Sequence, residues 1–129
     1  MEMSIDILVA EDEEHISFIL GHALQRSSYN VKIVPNGKDA MTEIDTLPTP
    51  PKLVLLDIMM PYVDGISVLK KIRNTSGWEQ VPVIMLTAKT QEKDIVSALN
   101  AGANDYITKP FQIGELLARV KRYVPASAA

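Results

Sequence analysis

The chain has 129 residues, a net charge of −3 and no cysteine. This length suits one domain with its own core and is too short for two ordinary domains. The lack of cysteine excludes disulfides and thiolate chemistry, and the acidic balance argues against a surface for nucleic acid or anionic membrane. No apolar run approaches the ~20 residues of a membrane span, and no signal pattern begins the chain, so the sequence predicts a soluble cytoplasmic protein.

Short apolar segments alternate with helical stripes along the chain. The predicted strands are residues 5–10, 31–34, 53–57, 81–86 and 105–108. Each is followed by apolar residues at the spacing of a helix with one buried face. Strict alternation predicts a parallel sheet covered by helices on both faces, and at this length the α/β flavodoxin-like (βα)5 sandwich with strand order 2-1-3-4-5. The domain is expected over residues 1–124, before a frayed tail at 125–129.

Polar side chains follow four of the five predicted strands. They are Glu11 and Asp12 after strand 1, Asp57 at the end of strand 3, Thr87 after strand 4 and Lys109 after strand 5. Parallel strands place these ends at one edge of the sheet, where α/β proteins bind ligands. Taken singly, each residue has an ordinary interpretation as a turn aspartate, a helix-capping acid, a strand-end threonine or a solvated lysine. Their shared edge favours a functional site.

The charges at this edge indicate a metal and a phosphoryl group. Three carboxylates and one ammonium sum to −2, which is repulsive at close range in a low dielectric. A hard divalent cation removes that excess, and oxygen ligands without histidine or cysteine favour magnesium, with manganese as the alternative. A hydroxyl and an ammonium suit a phosphoryl group, and a carboxylate such as Asp57 is able to accept one.

Four motifs, in order and at family-like spacing, carry a resemblance that covers essentially the whole chain. They are ILVAEDE at 7–13, LLDIMMP at 55–61 with DG at 64–65, LTA at 86–88 and AGANDYITKPF at 101–111. On these motifs the chain resembles the receiver domain of bacterial two-component response regulators. The resemblance implies a phosphorelay switch, not an enzyme, that assists its own phosphorylation and dephosphorylation. A sensor histidine kinase or phosphotransfer protein would phosphorylate Asp57, and the domain would then control an output domain or partner protein.

The resemblance also implies the ligands of the metal. Magnesium is expected on Asp12, on Asp57 and on the backbone carbonyl of Met59. Glu11 is expected to assist, often through a water molecule. Met59, which otherwise reads as an apolar residue after a buried strand, thereby gains a role through its backbone.

Further residues acquire roles in phosphoryl binding and switching by the same resemblance. Lys109 is expected to bind the acceptor carboxylate and then the phosphoryl group. Thr87 is expected to turn inward to a phosphoryl oxygen, and Tyr106 to follow into the vacated space. The backbone N–H of Ala88 is expected near the phosphate, and the bond between Lys109 and Pro110 is expected to be cis.

Helix 4, strand 5 and helix 5 form the expected partner surface. Helix 4 is predicted over about residues 91–101 with Val96 on its buried stripe, so Ile95, ~100° away, is expected at the rim. The residues assigned to this surface are Ile95, Asp105, Tyr106, Glu115 and Arg119. Many DNA-binding relatives dimerise there through charge pairs. Ile95 stands where a basic residue opposite Glu115 is expected, which leaves a phosphorylation-dependent homodimer open.

Three alternative functions compete with the phosphorelay switch. A flavin or nucleotide module would need a glycine-rich phosphate loop, whereas the loop after strand 1 is acidic. An aspartyl-phosphate phosphatase usually has a second aspartate two residues after the nucleophile, where this chain has Met59. A docking module that no longer takes phosphate is disfavoured, because no residue needed for phosphorylation is missing.

Overall fold

A computed structural model describes residues 4–88 and 92–125. Position 91 of the predicted helix 4, and positions 126–129 of the expected frayed tail, lie outside the described residues. The elements are β1 (Ile7–Ala10), α1 (Glu14–Arg26), β2 (Val31–Val34), α2 (Gly37–Thr46), β3 (Leu53–Asp57), α3 (Gly65–Arg73), β4 (Val83–Ala88), α4 (Glu92–Asn100), β5 (Asp105–Lys109) and α5 (Ile113–Tyr123). None of these helices combines the length and the apolarity needed to cross a membrane.

All five strands pair in parallel in the order β2-β1-β3-β4-β5, which confirms the predicted flavodoxin-like arrangement. The central strand β3 is buried along its whole length, as an apolar run without polar alternation indicates. Leu53 and Leu55 pack on the α1 and α5 side, whereas Val54 and Leu56 pack on the α2, α3 and α4 side. Full burial of each leucine contributes about 1.5–3 kcal/mol, so this strand anchors both halves of the core.

The loop that follows β3 is held closely against the end of that strand. Asp64 caps α3 by accepting a hydrogen bond from the Ser67 N–H at 2.8 Å. A Cβ on Gly65 would lie 2.1 Å from the Asp57 carbonyl oxygen, and a Cβ on Gly37 would lie 1.9 Å from the Val63 carbonyl oxygen. Both glycines therefore permit backbone contacts that fix the position of Asp57 and of the loop after it.

Helix α4 is rotated relative to the prediction. Val96 is 51% exposed and Leu99 is 44% exposed, whereas Ala98 is buried and Ile95 is half-buried. The prediction that Val96 lies on the buried stripe is therefore wrong, and it was the argument that placed Ile95 at the rim. The physical reason is that Ala98 is the side chain of α4 that packs in the core, and Val96, two residues earlier and therefore about 200° away around the helix, faces the other side.

Candidate functional site

The predicted site residues converge at the carboxyl edge of the sheet. Asp57 is the last residue of β3 and Lys109 the last of β5, while Glu11 directly follows β1. Thr87 was predicted to follow strand 4. It lies inside β4 instead, because the strand continues to Ala88 and Thr87 pairs with Thr108. Glu11, Asp57 and Thr87 are the buried polar residues of the described chain, at 1%, 4% and 1% exposure. Such burial separates them from ordinary surface charges.

Lys109 joins two buried carboxylates. Its Nζ lies 3.0 Å from Asp57 Oδ2 and 2.7 Å from Glu11 Oε1. Backbone donors occupy the other oxygens, since the Met59 N–H donates to Asp57 Oδ1 at 3.2 Å and the Glu13 N–H donates to Glu11 Oε2 at 3.1 Å. The ammonium therefore stands between strands 1, 3 and 5 as the counter-ion of both acids.

Three carboxylates at this edge fit a divalent cation. Glu11, Asp12 and Asp57 each offer one oxygen, and these oxygens all lie within 4.8 Å of one another. Glu11 Oε1 is buried and has no hydrogen-bond partner of suitable angle in residues 4–88 and 92–125, although it contacts the Lys109 ammonium. Oxygen-only donors with one exposed member, Asp12, match the preference of Mg²⁺, which retains several waters.

The ionisation of Asp57 reflects its crowded surroundings. Burial, followed by the hydrogen bonding and charge of Glu11, raises the pKa of Asp57, and with the opposing effect of Lys109 the pKa is about 7. Burial lowers the pKa of Lys109, but its contacts with Glu11 and Asp57 outweigh burial and raise that pKa overall. A metal-free site therefore holds a proton on Asp57 close to neutral pH, which a bound cation would displace.

Within residues 4–88 and 92–125, the side chains of the two residues assigned to switching, Thr87 and Tyr106, make no hydrogen bond to Asp57. The Thr87 hydroxyl donates to the Ala88 carbonyl at 3.3 Å, and the Tyr106 side chain is exposed, at 37% for the residue. The expected cis bond between Lys109 and Pro110 is present. The Thr87 hydroxyl is therefore hydrogen-bonded to a carbonyl of its own strand in this structure.

Three of the five residues assigned to the partner surface form one charge network. Arg119 Nη1 lies 2.9 Å from both carboxylate oxygens of Asp105, and Arg119 Nη2 lies 3.4 Å from Glu115 Oε2. Tyr106, which follows Asp105 on β5, is exposed, whereas Ile95 is half-buried. The charges that would suit pairing between two copies are therefore already paired within one chain.

The sequence interpretation missed two contacts. Glu13 Oε1 lies 4.0 Å from Lys109 Nζ, which adds a third carboxylate around the ammonium, and its place in the acidic run after β1 was the available signal. Arg73, at the end of α3, donates to the carbonyl oxygens of Glu79, Val81 and Gly102. No signal for this arginine exists in the sequence, because backbone carbonyls are present at every residue.

The fold and the site define a doubly wound α/β domain with a lysine-bridged acidic pocket at the carboxyl ends of its strands. The family model described as the response regulator receiver domain matches residues 7–121. The chain therefore belongs to the response regulator receiver domain family.

Relatives and solved structures agree with this assignment. The alkaline phosphatase synthesis transcriptional regulatory protein PhoP of Bacillus subtilis is 44% identical over 92% of this chain and 48% of its own length. The DNA-binding response regulator MtrA of Mycobacterium tuberculosis is 42% identical over 89% of this chain and 48% of its own length. The chain thus spans about half the length of these curated relatives.

Among solved structures, the receiver domain of sensor histidine kinase PA1611 from Pseudomonas aeruginosa superposes with a TM-score of 0.83 at 30% identity. That match covers 94% of this chain and 98% of the other, and the structure holds a magnesium ion in its active site cleft. The receiver domain of Francisella response regulator 1452 superposes with a TM-score of 0.81 at 33% identity, over 93% of this chain and 96% of the other.

Proposed function

We propose that the chain is the phosphoacceptor of a phosphorelay, in which Asp57 takes a phosphoryl group from the phosphohistidine of a sensor kinase or phosphotransfer protein. The observation that carries this proposal is the placement of Asp57. It is a buried carboxylate at the carboxyl end of the central strand, bridged to Lys109 and grouped with Glu11 and Asp12. Phosphoryl transfer requires a nucleophile held beside fixed positive charge, and this pocket supplies both.

The transfer forms a bond between a carboxylate oxygen of Asp57 and phosphorus, while the phosphorus–nitrogen bond of the donor breaks and its electron pair stays on the histidine. Lys109, which contacts Asp57 Oδ2 at 3.0 Å, offsets the charge on the acceptor and on the transferred oxygens. Glu11, Asp12, Asp57 and the Met59 carbonyl would hold the magnesium ion, whose charge stabilises the transferring group. The protein assists this step without turning over an external substrate.

Phosphorylation supplies the free energy for switching. Replacing the Asp57 carboxylate by an acyl phosphate adds roughly one negative charge and new acceptor oxygens. The Thr87 hydroxyl is held by one hydrogen bond of 3.3 Å to Ala88, so rotation toward a phosphoryl oxygen exchanges a weak bond for a charge-assisted one. Such a bond is worth about 1.5–3 kcal/mol, enough to shift two states separated by a few kcal/mol. Tyr106 would then turn inward, and the Ala88 N–H would contact the phosphate.

The output is proposed to act through the surface of α4, β5 and α5. PhoP and MtrA are about twice as long as this chain, and their names describe transcriptional and DNA-binding regulators. An attached or separate output of that kind, acting in the cytoplasm, fits the proposal, and the receiver itself is not assigned contact with nucleic acid or membrane. A homodimer would have to exchange the Arg119 pairs with Asp105 and Glu115 between chains. An unchanged sedimenting mass with beryllofluoride, up to high micromolar protein, would refute that dimer.

The direct test of acceptance uses a small phosphodonor. The chain is incubated with acetyl phosphate and Mg²⁺, and its intact mass is measured. We expect one added phosphoryl group that hydroxylamine removes and that Asp57→Asn lacks. Equal labelling of Asp57→Asn would refute the assignment.

A further inference from the structure

Arg73 joins the ends of two helices at the edge of the sheet opposite the acidic pocket. It is the last residue of α3, and its guanidinium makes five hydrogen bonds to four acceptors. Nε and Nη2 both donate to the Gly102 carbonyl, at 3.1 and 2.8 Å. Nη1 donates to the carbonyls of Glu79 and Val81, at 3.2 and 2.7 Å. All three nitrogens of the planar guanidinium thus donate to acceptors of the protein.

Two of the four acceptors of Arg73, on Gly102 and Asn104, belong to the turn that ends α4, whereas the carbonyls of Glu79 and Val81 lie before β4. Gly102 has φ +106° and terminates the helix, with the Ala103 N–H bonded to the Ala98 carbonyl and the Gly102 N–H to the Leu99 carbonyl. A Cβ on Gly102 would lie 3.0 Å from Arg73 Nε, so the guanidinium lies directly against this glycine. The carbonyl ends of helices carry partial negative charge, and Arg73 places one positive charge there.

Asn104 extends this contact to the sheet. Arg73 Nη2 donates to Asn104 Oδ1 at 2.8 Å, and the same oxygen accepts from the Val83 N–H at 2.9 Å. The Asn104 N–H in turn donates to the Val83 carbonyl at 2.9 Å. The turn between α4 and β5 is therefore fastened both to α3 and to the start of β4.

The rest of α4 is held much more weakly. Within residues 92–100, Ala98 is the one fully buried side chain, Ile95 is half-buried, and Val96 and Leu99 are 51% and 44% exposed. One buried methyl group contributes less to the attachment of a helix than a set of hydrogen bonds from a charged donor does. The strongest attachment of α4 is consequently at its C-terminal end, away from Thr87.

We propose that Arg73 is a positioning residue that fixes the C-terminal end of α4, so that switching moves the helix about this end. This inference rests on the proposed phosphorelay function. A change at Thr87 and Ala88 displaces the part of α4 that follows them in the chain, while Ala101, Gly102 and Ala103 keep their place. Without the guanidinium, both ends of the helix are free to move, and the state of Asp57 no longer determines its position.

Amide hydrogen exchange of the full chain, read by mass spectrometry, tests this inference with and without beryllofluoride and Mg²⁺. In the wild type we expect beryllofluoride to change exchange over residues 92–98 and to leave 101–103 unchanged. In Arg73→Met we expect exchange at 101–103 to rise about ten-fold or more in both conditions, and the beryllofluoride effect over 92–98 to disappear. Arg26→Met, which removes an exposed arginine, is the matched control and should behave as wild type.

A second variant covers the case in which Arg73→Met does not fold. Asn104→Asp keeps the acceptor oxygen but makes it charged, so exchange at 101–103 should slow. The inference is overturned if Arg73→Met retains the wild-type response, or if beryllofluoride changes 101–103 as much as 92–98 in the wild type. Failure of the proposed function is distinguishable, because it would leave Asp57 unlabelled by acetyl phosphate while the effect of Arg73→Met without beryllofluoride remained.

Discussion

Lys109 Nζ lies 3.0 Å from Asp57 Oδ2, and the two residues end the fifth and third strands of one parallel sheet. The same ammonium lies 2.7 Å from Glu11 Oε1, so one cation serves two buried carboxylates from two different strands. A buried charge is tolerated only when it is paired. The stability of the metal-free protein and the chemistry of its pocket therefore depend on the same contacts.

Removal of the bridging ammonium should destabilise the metal-free protein. Lys109→Met leaves Glu11 and Asp57 buried without their counter-ion, and we expect a loss of about 2–4 kcal/mol in the free energy of unfolding at pH 8. At pH 5 the loss should be smaller, because Asp57 is then protonated. Urea denaturation measures both values. Lys52→Met is the control, since the Lys52 side chain is largely exposed and its pair with Asp6 is worth at most about 1 kcal/mol. An equal loss in both variants would contradict the assignment.

The raised pKa of Asp57 predicts how the stability of the metal-free protein depends on pH. The value in the folded chain is about 7, against 3.8 ordinarily, so the folded state binds more protons than the unfolded state between these values. Stability should therefore be highest below about pH 4 with respect to this group and fall as the pH rises to about 7, by an amount on the order of a few kcal/mol. Urea denaturation in EDTA follows this decline.

Asp57→Asn provides the comparison for that pH dependence. Its amide does not ionise, so the decline between pH 4 and 7 should be largely lost, and the variant should be more stable than wild type at pH 8 without metal. Parallel curves for the two proteins would show that another group titrates in this range.

Magnesium binding should depend on each of the three acids and on pH. Glu11→Gln and Asp12→Asn each remove a charged oxygen ligand, and we expect affinity for Mg²⁺ to fall about ten-fold or more. Because the cation displaces a proton from Asp57, affinity should rise from pH 6 to pH 8 and protons should be released. Isothermal titration calorimetry in two buffers measures both. Asp45→Asn, whose carboxylate pairs with Lys71, is the control, and equal weakening by this variant would argue against the site.

Loss of the Thr87 hydroxyl should separate phosphorylation from switching. Thr87→Val keeps the branched shape inside β4 but removes the donor, so labelling at Asp57 should persist while Tyr106 no longer responds. Fluorine NMR of the chain with 3-fluorotyrosine, with the signal assigned through Tyr106→Phe, reads this response to beryllofluoride. A Tyr106 shift in Thr87→Val as large as in the wild type would exclude the hydroxyl from the switch.

The pocket could be predicted because each of its residues lies at or next to the end of a strand that the sequence predicts. Asp57 and Lys109 each lie at the end of a predicted strand, and the rule that parallel strands share one carboxyl edge places such residues together. Helix α4 could not be predicted in the same way. Val96 and Leu99 are apolar but exposed, so the assumption that apolar residues face the core predicted the wrong buried face for this helix.

Two charge arrangements also lay beyond sequence reasoning. Asp105 and Arg119 would suit charge pairing between copies, but their positions on β5 and α5 let them pair within one chain. Arg73 donates mainly to backbone carbonyls, which carry no sequence signature. Contacts of this kind depend on where the chain turns, not on which residues the turns contain.

The central claim is that Asp57 is the residue that carries the phosphoryl group. Protein treated with acetyl phosphate and Mg²⁺ is reduced with borohydride, which converts an aspartyl phosphate to homoserine, and is then sequenced by tandem mass spectrometry. We predict conversion at Asp57 alone, and none when Mg²⁺ is omitted and EDTA is present. Conversion at Asp12 or another acid with Asp57 intact, or no conversion in the presence of Mg²⁺, would contradict the claim.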